Sequence, residues 1–245
     1  MKKYRADLHI HTVLSPCGDL SMSPENIISE AEKKDIDIIG ITDHNSTRHC
    51  KLISRLAAKR RIFTMMGAEV TTKEEVHCLT FFENTDTLDL FQGFLESHLP
   101  DILNDPDIFG DQVEVDENEK IIFTETRLLS NAIDVSIDEL QKFVSANNGI
   151  FIPAHIDRLK NGLYGQLGFL PDNFRADALE VSWRNVRSSF AAARPELSAH
   201  RLITNSDAHI TYDIGRALTE YWLEYPSFEE LKMALNNLNG RKIAG

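Results

Sequence analysis

Two short patterns, His9-Ile10-His11 and Asp207-Ala208-His209, set pairs of cation-binding side chains two residues apart. On an extended strand residues i and i+2 face the same side, with Cα atoms roughly 6–7 Å apart, so each pair can chelate one cation. His44, Glu69, His77 and His155 stand at the ends of other apolar runs. Imidazole and carboxylate together suit Zn, Mn, Fe or Ni. For a phosphate ester, clustered cations would polarise the phosphoryl oxygens, lower the pKa of water, and hold both attacking and leaving oxygens. A lone histidine on a strand is ordinarily a packing residue. Two chelating pairs and four further ligand-type residues at strand ends argue instead for one shared metal site.

Such a site needs elements that bring distant residues to one face. Short apolar runs alternate with helical patterns along the chain. Strands are expected at 6–12, 36–42, 62–70, 76–82, 149–155, 178–183, 201–206 and 215–224. Ser23-Pro24 opens a helix to about Lys34, with Ser as N-cap and Pro in the first turn. Further helices are expected at 47–59 and 87–104. Two more open on the capping boxes Ser136-Ile137-Asp138-Glu139 and Ser227-Phe228-Glu229-Glu230, running to about Asn147 and Leu238. The β-α-β-α order predicts a mostly parallel sheet with helices outside, either open or closed into a barrel. In parallel α/β folds the C-terminal strand ends converge on one face, where ligands bind. One segment breaks the rhythm: residues 111–124 read as a β-hairpin around the acidic turn Asp116-Glu117-Asn118-Glu119. It is a surface elaboration, a lid or a dimer contact.

The 245 residues can bury one substantial core and are read as a single domain, 1–245. A net charge of −12 argues against gripping long nucleic acid, which needs a basic surface. Apolar runs are too short for a membrane helix, and the N-terminus shows no apolar signal region. Three scattered cysteines, Cys17, Cys50 and Cys78, suggest reduced thiols and a cytoplasmic location. Nothing in the sequence sets the oligomeric state.

The motifs Asp7-Leu8-His9-Ile10-His11-Thr12, Ile41-Thr42-Asp43-His44, Gly67-Ala68-Glu69 with His77, Pro153-Ala154-His155, and Asn205-Ser206-Asp207-Ala208-His209 together resemble those of the PHP (polymerase and histidinol phosphatase) domain family. The resemblance implies a distorted (β/α)7 TIM-like barrel. It also implies a trinuclear site for three divalent ions, of Zn, Mn or Fe. His9, His11, Glu69 and Asp207 would hold one ion. His44, His209 and a residue from the loop after His11 would hold a second, and Glu69 would bridge to a third completed by His77 and His155. The implied activity is a phosphoesterase cleaving a small phosphomonoester by a metal-bridging hydroxide, with Glu69 and Asp207 catalytic through that hydroxide. The family also contains short-RNA exonucleases, and a metal-binding regulatory module without turnover is a further alternative.

The chain departs from the family in the loop after His11. Where the family places an Asp or His, this sequence has Pro16 and Cys17. Asp19 is the expected loop ligand, because hard carboxylate oxygen matches the rest of the set; Cys17 is the alternative. Arg158, three residues past His155, is expected to fork onto a substrate phosphate or to pair with a carboxylate. Asp7 and Asp43 could accept from histidine ring nitrogens. Trp183 and Arg184 could line a pocket, the 163–169 stretch reads as a loop, and His49, His98 and His200 read as surface residues.

Overall fold

The computed structural model describes residues 1–244. Its strands are β1 (Lys2–Ile10), β2 (Ile38–Ile41), β3 (Phe63–Thr71), β4 (His77–Phe82), β5 (Val113–Val115), β6 (Ile121–Thr124), β7 (Ile150–Pro153), β8 (Leu179–Glu180), β9 (Leu202–Ile203), β10 (Thr219–Leu223) and β11 (Lys242–Ile243). The helices are α1 (Pro24–Lys33), α2 (Cys50–Ala58), α3 (Thr85–His98), α4 (Pro106–Phe109), α5 (Ile137–Ala146), α6 (Leu163–Leu167), α7 (Arg187–Ala192) and α8 (Phe228–Leu235).

The main sheet runs in the order β11-β10-β1-β2-β3-β4-β7. β1, β2 and β3 are parallel, but β4 is antiparallel to both β3 and β7, and β10 is antiparallel to β1. The expected mostly parallel sheet is therefore mixed. Thr72 to Val76 form a tight turn, so β4 returns directly beside β3 with no crossover helix.

Hydrogen bonds carry the curl onward. Asp177 N donates to Phe151 O and Ile156 N to Glu180 O, joining β7 to β8. β8 pairs in parallel with β9. Ala208 N donates to His9 O, and His11 N to Ala208 O, returning the ring to the end of β1. The result is the distorted barrel that the sequence implied. β1 serves two partners: residues 2–6 pair with β10, and its C-terminal end meets the segment after β9. That double duty explains why the strand starts four residues before its expected beginning.

Alternate residues of the same strands feed two apolar clusters. Ile38, Met65, Phe81 and Ile152 belong to one, and Ile39, Ile41, Phe82 and Phe151 to the other. The strands are thus buried on both faces, as barrel strands covered by helices must be. The α1 cap is as expected, with Asn26 N donating to Ser23 Oγ, and the capping box at Ser136 is complete. α3 starts and stops earlier than expected. Asn84 caps it by accepting from Thr87 N, and Pro100 forces Leu99 into extended backbone.

Gly67 sits where the paired β4 leaves no room for a side chain: a Cβ there would lie 1.8 Å from the Thr80 carbonyl oxygen. The obstacle is backbone inside a paired ladder and cannot swing away. We expect Gly67→Ala to destabilise the fold by at least about 3 kcal/mol, the upper range for ordinary substitutions. Denaturant unfolding would read this; a change under 1 kcal/mol would contradict the tight approach.

Candidate metal centre

Six strands and their following turns deliver the expected side chains to one buried focus. His9 and His11 come from the end of β1, His44 from the turn after β2, and Glu69 from late in β3. His77 opens β4. Because β4 runs antiparallel, its first residue lies at the same end as the last residues of its parallel neighbours. His155 follows β7, and Asp207 and His209 follow β9. Pairing of β1 with β2 shifts register between Asp7 and Ile10. That irregularity re-aims the side chains at His9.

Glu69 is the hub. Its Oε1 lies 3.3 Å from His9 Nε2, 2.9 Å from His77 Nδ1 and 3.0 Å from His155 Nε2. Its Oε2 lies 3.3 Å from both His11 Nε2 and His44 Nδ1. Asp207 Oδ1 is 3.3 Å from His9 Nε2 and 3.6 Å from His209 Nδ1. All are buried except His209. His155 and Asp207 both adopt left-handed backbone, φ +27° and +52°. Such strain costs a non-glycine residue about 1–2 kcal/mol and tends to collect at functional sites.

Partners outside the focus orient the ligand-type nitrogens. Glu180 is fully buried and accepts from His9 Nδ1 at 3.0 Å, from His155 N at 2.9 Å and from Asn205 Nδ2 at 2.7 Å. His9 therefore points its free Nε2 inward. Ser15 Oγ donates to Asp43 Oδ1 at 2.7 Å and accepts from His11 Nδ1 at 2.9 Å and His44 N at 3.1 Å. His11 too is held with Nε2 inward. Asp43 thus reaches the histidine only through Ser15. Asp7 touches no imidazole: it accepts from Ser206 N and Gly215 N, and burial pushes its carboxyl up to about 6.

Sequence reasoning missed Glu180, Ser15 and His49. Glu180 was legible only as an acid inside the apolar run Ala178-Leu179-Glu180-Val181. His49 is buried, not a surface residue. Val115 N donates to its Nε2 at 3.0 Å, and its Nδ1 donates to Thr12 Oγ1 at 2.6 Å, which in turn donates to Asp43. Burial pushes His49 down, in keeping with a neutral ring that accepts at one nitrogen and donates at the other. The hairpin β5–β6 is in this way anchored to the first-strand loop.

Electrostatics divide the histidines. Burial alone would keep every imidazole neutral, but Glu180, Glu69 and Asp207 outweigh it at His9 and hold that ring well above its ordinary value. Burial dominates at His44, His77 and His209, which are pushed down, His209 to about 4. For Glu69 burial is likewise the largest influence, yet the His77 and His9 charges and hydrogen bonds from His11 and His155 bring the carboxyl well below the usual range. Residue 17 is exposed, yet the protein packed around its thiol pushes Cys17 up to about 12, and Glu69 and Asp207 add to the rise.

Buried nitrogens without hydrogen-bond partners mark the same place: His44 Nδ1, both ring nitrogens of His77, and His155 Nδ1. Such orphans demand an explanation, and coordination of a divalent cation by these rings supplies one. Three sets have ligand atoms within 4.8 Å of one another: His9, His11 and Glu69; His44, Glu69 and His77; and His11, Cys17, His44 and His209. Neutral imidazole, carboxylate and thiolate are all donors that divalent cations accept.

Asp19 is a correction. Its carboxylate is exposed and accepts from Ser21 N at 2.8 Å, whereas its own backbone N donates to His209 O. The backbone is thus tied to the site while the side chain points out. Cys17 stands in the cluster instead. Arg158 lies with Nη2 2.5 Å from Asp207 Oδ2. It also lines a cavity of about 420 Å³ beside His77 and His155, with Lys160, Asn161 and Arg184. A larger cavity, about 820 Å³, gathers residues at the N-terminal ends of β7 and β8, including Gly149, Phe151 and Asp177, and none of the cluster. In barrels that end serves stability rather than chemistry. The 163–169 stretch is largely helical, not a loop; Tyr164 turns toward Glu196 and Phe190.

A family model described as the PHP domain matches residues 7–152, more than half of the chain. The chain belongs to the PHP domain family. Uncharacterized protein YqxK of Bacillus subtilis (strain 168) is 27% identical over 274 aligned positions, which cover 99% of this PHP chain and 64% of YqxK. Among solved structures, the lesion-specific endonuclease PfuEndoQ of Pyrococcus furiosus matches with a TM-score of 0.78 at 20% identity, over 99% of this chain and 58% of that one. Endonuclease Q has also been crystallised with a 27-mer duplex substrate bearing an abasic lesion at the active site. A protein of Bifidobacterium adolescentis, provisionally assigned as a metal-dependent phosphoesterase, matches at 0.58 and 18% identity, over 87% and 91% of the two chains. At these identities the likeness speaks for the fold. The PHP chain spans less than two thirds of YqxK and of endonuclease Q. Among the described residues no helix is long and apolar enough to cross a membrane.

Glu180 gives a first test of the centre. Glu180→Gln keeps the shape but replaces one acceptor with a donor facing His9, His155 and Asn205. Changes to groups that orient metal-ligating histidines cost about 10–100-fold in metal affinity or activity. We expect that loss, with the variant still folded. Metal titration would check it, and an affinity within twofold of the parent would contradict it.

Proposed function

We propose that this PHP domain hydrolyses a small phosphomonoester at the Glu69-centred cluster. Three cation positions are assigned: one on His9, His11, Glu69 and Asp207, one on His44 and His209 with the loop after His11, and one on Glu69, His77 and His155. Zn, Mn and Fe are the candidate ions. The single observation that carries the reading is the convergence of five histidines on both oxygens of one buried carboxylate. Divalent cations held there supply Lewis acidity and lower the pKa of water. The chain's own residues do the rest. Glu180 and Ser15 fix His9 and His11 with Nε2 inward. Glu69 and Asp207 supply the negative charge that concentrates cations. Arg158, Lys160 and Arg184 line the adjacent cavity and orient the phosphoryl oxygens by charge and by the guanidinium fork.

A second reading, cleavage of a nucleic-acid phosphodiester, has its own support. The cavity rim is locally basic on an acidic chain. Trp183 lies under two guanidiniums, with Arg216 4.0 Å and Arg184 4.6 Å from the ring centre. Such a surface suits a flanking phosphate and a stacked base. Endonuclease Q, of similar fold, acts on lesion-bearing DNA.

One experiment separates the readings. The purified protein is analysed for metal, then assayed on p-nitrophenyl phosphate, its bis-ester, short 5′-phosphorylated oligonucleotides and a duplex with an abasic site. Monoester turnover with added metal is the expected result. Diester or oligonucleotide cleavage without monoester turnover establishes the second reading. Less than one metal per chain and no hydrolysis of any substrate would overturn both.

A further inference from the structure

The loop after His11 is built to present residue 17 rather than residue 19. Ser15 N donates to Thr12 O at 3.1 Å and Gly18 N to Ser15 O at 2.8 Å, winding residues 12–18 into a tight turn. Gly18 has no room for a side chain: a Cβ there would lie 2.4 Å from the Thr12 carbonyl oxygen. Asp19 N is then tied to His209 O at 2.8 Å. With both ends pinned by backbone bonds, Cys17 is the loop residue whose side chain brings a metal-ligand donor up to the histidines. Its Sγ and one ring nitrogen each of His11, His44 and His209 lie within 4.8 Å of one another. Zinc bonds of about 2.3 Å to sulfur and about 2.0–2.1 Å to nitrogen put two donors on one ion no more than about 4.4 Å apart. Small side-chain rotations close the gap. A second observation concerns the same ring: His44 is buried, and its Nδ1, 3.3 Å from Glu69 Oε2, has no hydrogen-bond partner. Neither other cysteine competes for Cys17. Cys50 and Cys78 are buried, and all three are free thiols.

We propose that Cys17 supplies a thiolate ligand to the cation position formed with His44 and His209, beside His11, and that this soft donor makes the site select zinc, cobalt or iron over manganese and magnesium. The inference rests on the reading of this face as a metal-dependent hydrolase centre, and it deepens that reading by giving one position its own selectivity. One sulfur and two imidazoles, with a fourth position left for water, make a set of the kind a catalytic zinc takes. Carboxylate oxygens suit manganese and magnesium, whereas a thiolate does not. A carboxylate at residue 17 would make the set uniformly hard or intermediate.

The test uses the whole chain stripped of metal and reloaded with cobalt(II) alone. The parent protein should show a thiolate-to-cobalt charge-transfer absorption in the near ultraviolet, beside the weaker visible bands of cobalt on nitrogen and oxygen. Cys17→Ser should lose the charge-transfer absorption and keep visible bands from the remaining positions. Cys17→Asp should lose it too, and should shift the competitive preference for zinc over manganese toward manganese by at least about tenfold. Residue 17 is exposed, so both variants should fold, and circular dichroism checks that they do. Visible cobalt bands without charge transfer in the parent overturn this proposal and leave the metal-dependent hydrolase standing. So does a charge-transfer band that survives in Cys17→Ser, or a metal preference unmoved in Cys17→Asp. No cobalt binding at all overturns both this proposal and the function on which it rests.

Discussion

Glu69→Gln is expected to remove phosphoester hydrolysis, by more than the roughly 100-fold that loss of an orienting group alone can cost. The reason is its position. No other side chain in the cluster touches as many imidazoles: Oε1 faces His9, His77 and His155, and Oε2 faces His11 and His44. Glutamine is nearly isosteric, so the cavity keeps its shape and the expected damage is electrostatic. The amide brings no charge to concentrate cations, and its NH2 points donors at nitrogens that need acceptors. His9 and His11 would also lose a counter-charge inside a buried space, and breaking buried ion pairs costs about 3–5 kcal/mol. The variant should bind fewer metal ions per chain, and its metal-free form should unfold at lower denaturant. Elemental analysis, turnover and denaturant midpoint report these separately. Retained metal stoichiometry with activity within tenfold of the parent would show that Glu69 is a bystander.

Much of this site was legible because it is written in side-chain types at strand ends. His9-x-His11 and Asp207-x-His209 use the strand period of two, and the alternating β-α order told that their ends share a face. His77 was harder. Parallel strands put functional residues at their C-terminal ends, and His77 begins its strand; only the antiparallel run of β4 reconciles the two. That reversal lies in a five-residue turn, Thr72 to Val76, too short for a helix, which a period-based reading does not interpret. Residues acting through hydrogen bonds left weaker marks. Glu180 is one acid in an apolar strand, and Ser15 is one hydroxyl in a turn. Their roles depend on which nitrogen of His9 and His11 they occupy, and spacing carries no information on that.

Asp19 failed for an instructive reason. Donor hardness favoured it, and hardness is a property of residue type. Direction is a property of the loop. Backbone bonds at Gly18 and Asp19 fix where residue 17 points, and Ser21 N captures the Asp19 carboxylate two residues on, a local turn habit of aspartate. His49 failed for the opposite reason. A helix start reads as surface, but the hairpin folds over it and buries the ring between Val115 and Thr12. Covering by an inserted segment is a tertiary event with no local signature.

Stripping the metal is expected to lower the melting temperature by about 8–16 °C. The argument starts from what the cluster costs when protons alone balance it. Glu69, Asp207 and Glu180 are buried carboxylates, and in the absence of a cation their charge is met by imidazoles such as His9, held protonated against burial. His44, His77 and His155 meanwhile keep buried nitrogens unpaired, each a cost of about 1–3 kcal/mol. A bound cation replaces the ring protons and occupies the orphan nitrogens, so binding releases protons and stabilises the fold in one step. At a free metal concentration a thousand times the dissociation constant, one ion contributes about 4.1 kcal/mol. For a chain of this size about 2–4 °C accompanies each kcal/mol, which gives the stated range for a single site; further ions would add to it. Thermal melts of chelator-treated and reloaded protein, with metal content measured on the same samples, decide it. A melting temperature within about 2 °C for the two forms would mean that the histidines and carboxylates satisfy one another, and that the cluster is a structural polar network rather than a metal centre.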